Sequence, residues 1–358
     1  MSKVNPLFLT IFFTFLLTGS MYSQNKRIAI LNANYVDVIE GKIKKATIII
    51  SNGRIEKISK GTNVPADATQ IDGSNKWVIP GLVDAHIHLF QSGGLYTRPD
   101  AINLTKYRDY PVEREWLKDN ASDILKRYLR CGITTVIDVG GPLYNFEIRE
   151  KYNDKTNYPN LFLTGPLIST YQPEAFKIED APIIKVASTE EAIALVKKQL
   201  PYKPDFIKIW YIASAEQKAE SNFEIVKATI EESHKNGLKV AVHATEVNTA
   251  KLAIKAGADI LVHSVSDPVD DDFINLLLKN KVIYIPTLMV HGKYVEVYGQ
   301  TIKPTKEDLT ISNPIPLGSL SDAKHLTEEK KIQEYKDNAP LRQKKLTIQD
   351  SIRLVNLN

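Results

Sequence analysis

The sequence is poor in cysteine, in clustered charge and in long apolar runs. Its only cysteine, Cys131, excludes an intramolecular disulfide, and we expect that side chain to be buried between a helix and a strand. The formal net charge is +4 over 358 residues, and lysines are interleaved with acidic residues, which argues against a nucleic-acid groove. No internal repeat or low-complexity tract is visible. With 43% apolar residues, the chain can bury a sizeable core without covalent cross-links.

The most apolar stretch, residues 6–19, is too short for a membrane span, which needs roughly 20 residues. It follows Lys3 and precedes the segment SMYSQ, which together form the pattern of a secretory signal. We therefore predict a signal peptide over 1–23, cleavage near Ser23–Gln24, and export to the periplasm or the cell exterior. A short buried helix is the alternative. No cysteine follows the run, so we expect no lipid anchor and no stable membrane anchor.

Two patterns of secondary structure follow the signal. Residues 24–79 read as short strands rich in Ile and Val and broken by Asn-Gly and Asp-Gly turns, which predicts the N-terminal part of a small β-sandwich. Residues 80–358 alternate apolar strands with amphipathic helices, which predicts parallel strands covered on both faces. We predict an α/β fold, a TIM-like (β/α) barrel with seven of its eight strands present. The predicted strands are LVDAHI, ITTVIDV, NLFLTG, FIKIWYI, KVAVHA, DILVHS and VIYIPTL.

Two histidines, His86 and His88, end the first of these strands. Side chains alternate along a strand with a period of two, so both imidazoles point to the same side. Two neutral imidazoles that converge on one spot suit a metal ion. A strand whose solvent-facing side happens to carry two histidines is the alternative.

Three more candidates fall at later strands, near the carboxyl ends where such barrels keep their reactive groups. Lys208 lies within the fourth strand, and His243 and His263 end the fifth and sixth. An ammonium group beside metal ions would be desolvated and repelled, which favours a neutral amine. A neutral amine can add carbon dioxide to give a carbamate, whose two oxygens can bridge two metal ions. Taken alone, Lys208 would be a barrel-interior or snorkelling lysine, but four neighbouring histidines favour the carbamate.

The segments VIPGLVDAHIH, GITTVIDVGG, DFIKIW, VAVHA and ILVHS, in this order, resemble the amidohydrolase superfamily. The resemblance is to its imidazolonepropionase-like and metal-dependent dipeptidase-like branch, and it covers about residues 27–300. It implies a binuclear centre in which His86 and His88 bind the more buried ion and His243 and His263 the more exposed one. Carbamylated Lys208 would bridge the two ions. These ligands suit zinc best and leave manganese, iron and nickel open.

The resemblance also implies a reaction, the hydrolysis of a C–N bond in a small amide, cyclic amide or dipeptide by an exported enzyme. A hydroxide that bridges the two ions would attack the carbonyl carbon. Lys208, His243 and His263 would be the residues that serve this chemistry. A small-molecule amide or dipeptide is therefore the expected partner, with no nucleic acid, and the sequence leaves a homo-oligomer open.

The sequence departs from the family at the general base that must orient the hydroxide. Relatives carry an aspartate at the end of strand eight, and no such segment follows the seventh strand here. We therefore expect a C-terminally incomplete piece of a longer hydrolase. The alternative is a truncated, catalytically inactive relative that binds metal or ligand without turnover. The aspartates that follow the seventh strand all lie in polar or helical surroundings: Asp308, Asp322, Asp337 and Asp350.

Two further residues are weaker candidates for substrate binding. Tyr211 follows Lys208 closely, although either it or Trp210 must point away from the pocket, and His291 follows the seventh strand. A loop histidine without a role is the alternative for His291. The long segment after the first strand, residues 90–116, is predicted to be a lid or substrate loop from its length alone.

Overall fold

A computed structural model describes residues 27–214 and 218–339. The chain divides into two compact units between Pro80 and Gly81. The predicted signal peptide, 1–23, lies outside the described residues. Within the described ranges, no helix has both the length and the apolar character required to cross a bilayer.

The first unit is a five-stranded sheet built around its first strand. That strand pairs antiparallel with the second strand and parallel with the fourth and fifth. The second and third strands form a hairpin whose turn, Asn52–Gly53, has positive φ at both residues (50° and 72°). This conformation explains the Asn-Gly sequence, because asparagine and glycine tolerate positive φ best. The strands are β1 (Arg27–Asp37), β2 (Lys42–Ser51), β3 (Arg54–Ser59), β4 (Thr69–Asp72) and β5 (Trp77–Val78).

The second unit is an array of parallel strands alternating with helices, which confirms the predicted fold class. All seven predicted strands are present, and two short strands, 167–169 and 183–185, were not predicted. The strands are β6 (Leu82–Ile87), β7 (Ile133–Asp138), β8 (Asn160–Leu163), β9 (Leu167–Ser169), β10 (Ile183–Lys185), β11 (Ile207–Trp210), β12 (Val240–His243), β13 (Ile260–Val262) and β14 (Ile283–Ile285).

These strands form a three-stranded sheet, β6-β7-β8, and a six-stranded sheet, β10-β9-β11-β12-β13-β14. The interruption between β8 and β9 falls at Gly165–Pro166, where proline has no N–H to give to a ladder. A backbone hydrogen bond from Asp205 N to Leu163 O (2.9 Å) still joins the two sheets beside the break. Counting β8 and β9 as one interrupted strand gives seven consecutive barrel positions. In the described part of the chain, the edge strands β6 and β14 each have a partner on one side only.

Helices begin and end where the local sequence signals predict. Ser188 Oγ accepts a hydrogen bond from Glu191 N (3.2 Å), and Gly237, with φ of +73°, follows the helix that ends at Lys235. Residues 330–339 are also helical, and short 3-10 helices lie at Leu95–Thr97, Glu174–Phe176, Leu200–Tyr202, Ala219–Asn222 and Leu320–His325. The α-helices are α1 (Tyr110–Arg130), α2 (Asn145–Tyr152), α3 (Thr189–Gln199), α4 (Phe223–Lys235), α5 (Val247–Ala256), α6 (Asp271–Asn280), α7 (Met289–Tyr298), α8 (Lys306–Ile311) and α9 (Pro314–Ser319).

The largest apolar core lies between the strands and helices α3 to α6. Ile209 from β11, Val242 from β12 and Leu261 from β13 contribute to it from the outer face of the sheet. Alternation then directs Lys208 and His243 to the inner face of the barrel. The outer core therefore fixes which side chains point inward.

The segment after β6, predicted to be a lid, packs against the C-terminal helices. Leu95 and Leu104 share an apolar cluster with Tyr298 and Ile332. The hydroxyl of Tyr96 donates to Asp322 Oδ2 (3.0 Å), and Leu95 N donates to Ser319 Oγ (3.0 Å). This segment is therefore a packed part of the second unit. Its role as a lid stays a prediction.

The expectation that Cys131 is buried was wrong. Cys131 is exposed, because it is the residue that ends α1 on the protein surface. The next residue, Gly132, has φ of +77° and turns the chain into β7. The apolar residues of the local core are instead Leu125, inside the helix, and Val136, inside the strand.

Replacing Leu261 by alanine tests the outer core. Leu261 is 1% exposed, and its loss should lower the free energy of unfolding by about 2–5 kcal/mol through the cavity that it leaves. Urea denaturation followed by circular dichroism measures this change. Leu309→Ala, at an exposed leucine of α8, is the control and should change stability by less than about 0.5 kcal/mol. Equal effects of the two substitutions would contradict this account of the core.

Candidate metal centre

Four histidine side chains converge at the carboxyl ends of three strands of the second unit. The ring centroids of His86 and His88 are 5.3 Å apart, and the ring of His263 lies 4.6 Å from His86 and 4.6 Å from His243. His86 lies in β6 and His88 directly follows it, His243 ends β12, and His263 directly follows β13. The predicted histidine ligands are thus brought together.

Strand alternation explains three of these histidines. Ile87 and Leu89 pack outward with α1 and α2, which directs His86 and His88 inward. His243 pairs in register with Trp210, two positions after Lys208, so all three side chains share the inner face. The rings of Trp210 and His243 form an edge contact at 5.8 Å.

His263 reaches the same cluster by a different route. Leu261 packs in the outer core, so simple alternation would direct His263 outward as well. Its φ of +78° instead places it in a conformation that non-glycine residues seldom adopt. Strained backbone of this kind concentrates at functional sites. Here it turns the imidazole toward His86 and His243.

Hydrogen bonds fix which ring nitrogen of the histidines is free. His88 Nδ1 is 2.8 Å from the carbonyl oxygen of Gly140. A carbonyl can only accept, so Nδ1 carries the proton and Nε2 keeps its lone pair for a ligand. His263 Nδ1 lies 3.0 Å from Thr287 Oγ1, which supports the same orientation. His86 Nδ1 is buried and has no hydrogen-bond partner among the described residues.

Lys208 is 1% exposed, and its Nζ atom has no hydrogen-bond partner in the described part of the chain. Burial lowers the pKa of Lys208 well below its usual value. The charged form loses its hydration in this position without gaining a carboxylate, so the neutral amine is favoured. An unpartnered buried amine costs stability, which is a reason to expect a functional role.

The histidines are also held neutral. Burial is the largest cause of the lowered pKa of His86, His243 and His263. Burial lowers the pKa of His88 to about 4, partly opposed by the hydrogen bond to Gly140. Neutral imidazole is the form that binds metals.

Arg98, which sequence reasoning missed, adds positive charge to this region. Its charge contributes to the lowered pKa of His86, His88 and His243. Arg98 Nε donates to Asp100 Oδ1 (2.8 Å), and Nη1 contacts the hydroxyl of Tyr294. Nothing in the local sequence distinguishes Arg98 from other loop arginines.

The donor set fits a divalent metal with one addition. In the described part of the chain, His, Cys, Asp and Glu side chains alone do not form a group of three or more able to hold an ion. The same rim nevertheless holds four neutral imidazoles, one of which is His86 with its buried, unpartnered Nδ1. Lys208 Nζ is also buried and unpartnered among the described residues. A carbamate on Lys208 would add two oxygen ligands where the amine now has no partner. Imidazole and oxygen ligands together suit zinc.

The prediction for Tyr211 needs a correction. Tyr211 is fully buried in the outer core, and its hydroxyl donates to Ala219 O (2.6 Å). It cannot contact a substrate from there, because alternation places it on the opposite face from Lys208. Trp210, beside His243, is the aromatic residue on the inner face. His291 belongs to α7, but its side chain lies outside the described part of the structure.

A second missed residue, Asp138, lies behind the ligands. It is 1% exposed and ends β7. Its Oδ1 accepts from Gly140 N (3.2 Å), and its Oδ2 accepts from Asn145 Nδ2 (2.8 Å). Burial raises the pKa of Asp138 to about 8. The sequence signal was the adjacent Gly140–Gly141 pair, which marks a tight turn after the strand.

Comparison with known proteins assigns the family. The pattern of the Amidohydrolase family matches residues 77–315, about two thirds of the sequence. The chain belongs to this family. Members generally use divalent metal ions. The predicted resemblance is therefore confirmed, and the matched region includes every predicted ligand.

Individual relatives agree with this assignment. The chain is 27% identical to an enamidase of Eubacterium barkeri over 253 residues, which cover 66% of this chain and 56% of that one. It is 26% identical to an imidazolonepropionase of Treponema denticola over 266 residues, covering 66% and 62%. A solved Xaa-Pro dipeptidase with methionine in its active site shares the fold, with a TM-score of 0.59 and 24% identity over 87% of this chain and 77% of that one. The chain spans little more than half the length of the enamidase.

The lowered histidine pKa values predict a loss of stability in acid for the metal-free protein. Below pH 6.5, the histidines of the unfolded chain take up protons, whereas those of the folded chain stay neutral. The free energy of unfolding therefore falls as the pH falls toward about 4. Each histidine contributes up to about 1.4 kcal/mol per pH unit in this window. Urea denaturation between pH 7.5 and 5 should show this slope, and His88→Gln should reduce it by one histidine's share. An unchanged slope in His88→Gln would contradict the prediction, and His325→Gln, at an exposed histidine, is the control.

Proposed function

We propose that the intact protein is a metal-dependent hydrolase that cleaves a C–N bond in a small amide, cyclic amide or dipeptide. One observation carries the proposal most strongly. Four neutral imidazoles cluster at the carboxyl ends of parallel strands, and Lys208, on the same inner face, is buried without a hydrogen-bond partner among the described residues. Membership of the amidohydrolase family and the names of its relatives, an enamidase and an imidazolonepropionase, support this reaction class.

The residues would share the metal-binding role as follows. His86 and His88 would hold one divalent ion, and His243 and His263 a second, with carbamylated Lys208 between them. His88 would bind through Nε2, because Nδ1 is committed to Gly140. Zinc suits this set of ligands best. Bound divalent ions supply Lewis acidity and make water nucleophilic near neutral pH.

The burial of Lys208 favours the addition of carbon dioxide to its side chain. Burial removes the proton from Nζ, and the resulting lone pair attacks the carbon of carbon dioxide. An N–C bond forms, one C–O π bond breaks, and the nitrogen releases one proton to solvent to give the carbamate anion. Nζ has no hydrogen-bond partner among the described residues, so no described group competes with carbon dioxide for its lone pair.

The side chains around the ligands bear on the substrate. Trp210 lies on the inner face beside His243 and offers an apolar wall. Asp100 pairs with the guanidinium of Arg98, so the charge of Arg98 alone does not select a substrate with an anionic group. The Xaa-Pro dipeptidase that shares the fold supports dipeptides as the first substrates to test.

Lys208→Ala tests the role of the carbamate. With zinc and bicarbonate present, we expect kcat/KM on the best substrate of a dipeptide, N-acyl amino acid and lactam panel to fall about 1,000-fold or more. Added acetate or propionate should restore part of the activity by placing a carboxylate in the vacated space. Lys239→Met, at an exposed lysine before β12, is the matched control and should stay within about twofold of the parent. More than a tenth of the activity in Lys208→Ala would contradict the carbamate.

A second candidate function is metal or ligand binding without turnover. Three aspartates are described after β14: Asp308 caps α8 with Thr305, Asp322 accepts from Tyr96, and Asp337 is exposed in the helix over 330–339, while Asp350 lies outside the described residues. None of the three lies at the carboxyl end of a described strand, where the general base is expected. Near-stoichiometric zinc without turnover on the panel would favour this candidate over the hydrolase.

We further propose that the protein is exported, supported by Lys3 and the apolar run over 6–19. Expression of the full chain in a bacterium with two membranes should release a mature form that begins near Gln24 into the periplasm. Mass spectrometry of the fractionated cells measures its N-terminus. A cytoplasmic protein that keeps residues 1–23 would contradict export.

A further inference from the structure

We propose that Asp138 and Asn145 are positioning residues that set the orientation of His88 through the backbone of Gly140. The inference rests on the proposed function only in taking His88 as a metal ligand. Neither residue is one of the predicted ligands, and both are fully buried. Their effect on His88 passes through one peptide segment, residues 138–141.

The first step is the contact between His88 and the turn. His88 Nδ1 donates to Gly140 O at 2.8 Å, so the direction of that carbonyl decides where Nε2 points. Gly140 has φ of +134°, a conformation that favours glycine. A Cβ atom at this position would lie 2.3 Å from Leu167 Cδ1. The turn therefore has little freedom to present its carbonyl in another way.

Side-chain and backbone hydrogen bonds hold the turn over residues 138–141 in place. Asp138 Oδ1 accepts from Gly140 N (3.2 Å), and Asp138 Oδ2 accepts from Asn145 Nδ2 (2.8 Å). A Cβ atom at Gly141 would lie 2.3 Å from Asn145 Nδ2, so the amide of Asn145 is pressed against the turn. Backbone hydrogen bonds from Val139 N to Ile87 O (3.0 Å) and Gly141 N to Gly165 O (3.2 Å) fix the two flanks.

Gly140 differs from its two neighbours in the group that accepts the hydrogen bond from its N–H. Val139 N is anchored to Ile87 O in β6 and Gly141 N to Gly165 O between β8 and β9, whereas the N–H of Gly140 is held by Asp138 Oδ1. The carbonyl that faces His88 belongs to the peptide between Gly140 and Gly141, and the N–H held by Asp138 belongs to the peptide before it. If that acceptor is lost, the earlier peptide can rotate, the Cα atom of Gly140 shifts, and the carbonyl is displaced from His88 Nδ1. The imidazole then loses the partner that keeps the proton on Nδ1, and Nε2 becomes a weaker ligand.

Asparagine can replace aspartate here, because Asn145 has a spare acceptor. Asn145 Oδ1 is buried and has no hydrogen-bond partner among the described residues. In Asp138→Asn, the new amide oxygen can accept from Gly140 N. The new NH₂ group can donate to Asn145 Oδ1 once the Asn145 amide has rotated. Alanine offers neither group.

The experiment compares Asp138→Ala, Asp138→Asn and Asn145→Ala in the full chain. Two-bond ¹H–¹⁵N spectra of the metal-free protein report which nitrogen of His88 carries the proton, with His88→Gln assigning the signal. Zinc affinity is measured by competition with a chelating dye. We expect Asp138→Ala to shift His88 away from the Nδ1–H form and to weaken zinc binding 10- to 100-fold. Asn145→Ala should do the same to a smaller extent, and Asp138→Asn should stay within about threefold of the parent.

Ser233→Ala controls for stability alone. Ser233 is fully buried in α4 and donates to Thr229 O (2.7 Å), so its loss should destabilise the fold without changing the His88 signal. If Asp138→Ala does not fold, the His88 signal and the zinc affinity of Asn145→Ala and Asp138→Asn decide the outcome. The proposal is overturned if folded Asp138→Ala, or Asn145→Ala in its place, keeps the parent's His88 signal and zinc affinity, or if Asp138→Asn loses both. Because the nitrogen signal is read without metal or substrate, a failure of the proposed hydrolase would not be mistaken for a failure here.

Discussion

Desolvation of nitrogen bases at one rim of the barrel is the constraint on which the site depends. Lys208 and the four histidines are packed where charged forms lose their hydration, and the described structure places no carboxylate against Lys208 to compensate. All five groups are therefore held as lone-pair donors. Burial of these bases without partners costs stability, and the same burial leaves their lone pairs available to a Lewis acid. The outer core makes this burial possible, because Ile209, Val242 and Leu261 hold the strands that bear these groups.

Two levels of backbone geometry refine this arrangement. Regular strand alternation delivers His86, His88, Lys208 and His243 to one face. Irregular backbone then makes the final adjustments, through the positive φ of His263 and the turn at Gly140. Regular strands give a rigid frame but only two directions for a side chain. The irregular positions supply the directions that the frame cannot.

This division explains how much the sequence predicted. Period-two alternation and the order of strands and helices were enough to predict the seven strands and the convergence of the histidines. Alternation alone would have sent His263 outward, because a positive φ leaves no periodic signal. Tyr211 was misplaced because, of two adjacent aromatics, the sequence does not say which one faces the pocket. Asp138 was missed because its partners, Gly140 and Asn145, are recognised only once the turn is folded. Cys131 was wrongly expected to be buried because a difference of one residue decides whether a position lies inside a helix or beyond its end.

The packing of the segment after β6 against the C-terminal helices has a consequence for folding during synthesis. Leu95 N bonds to Ser319 Oγ and Tyr107 to Glu329, pairs separated by 224 and 222 residues. Contacts this distant in sequence close late, because their loop entropy must be overcome after nearer contacts have formed. On the ribosome, Leu95 and Leu104 lack the other members of their apolar cluster until residues 294–335 have been made. The segment that follows the first candidate ligands in the sequence is thus among the last parts of the second unit to complete its packing.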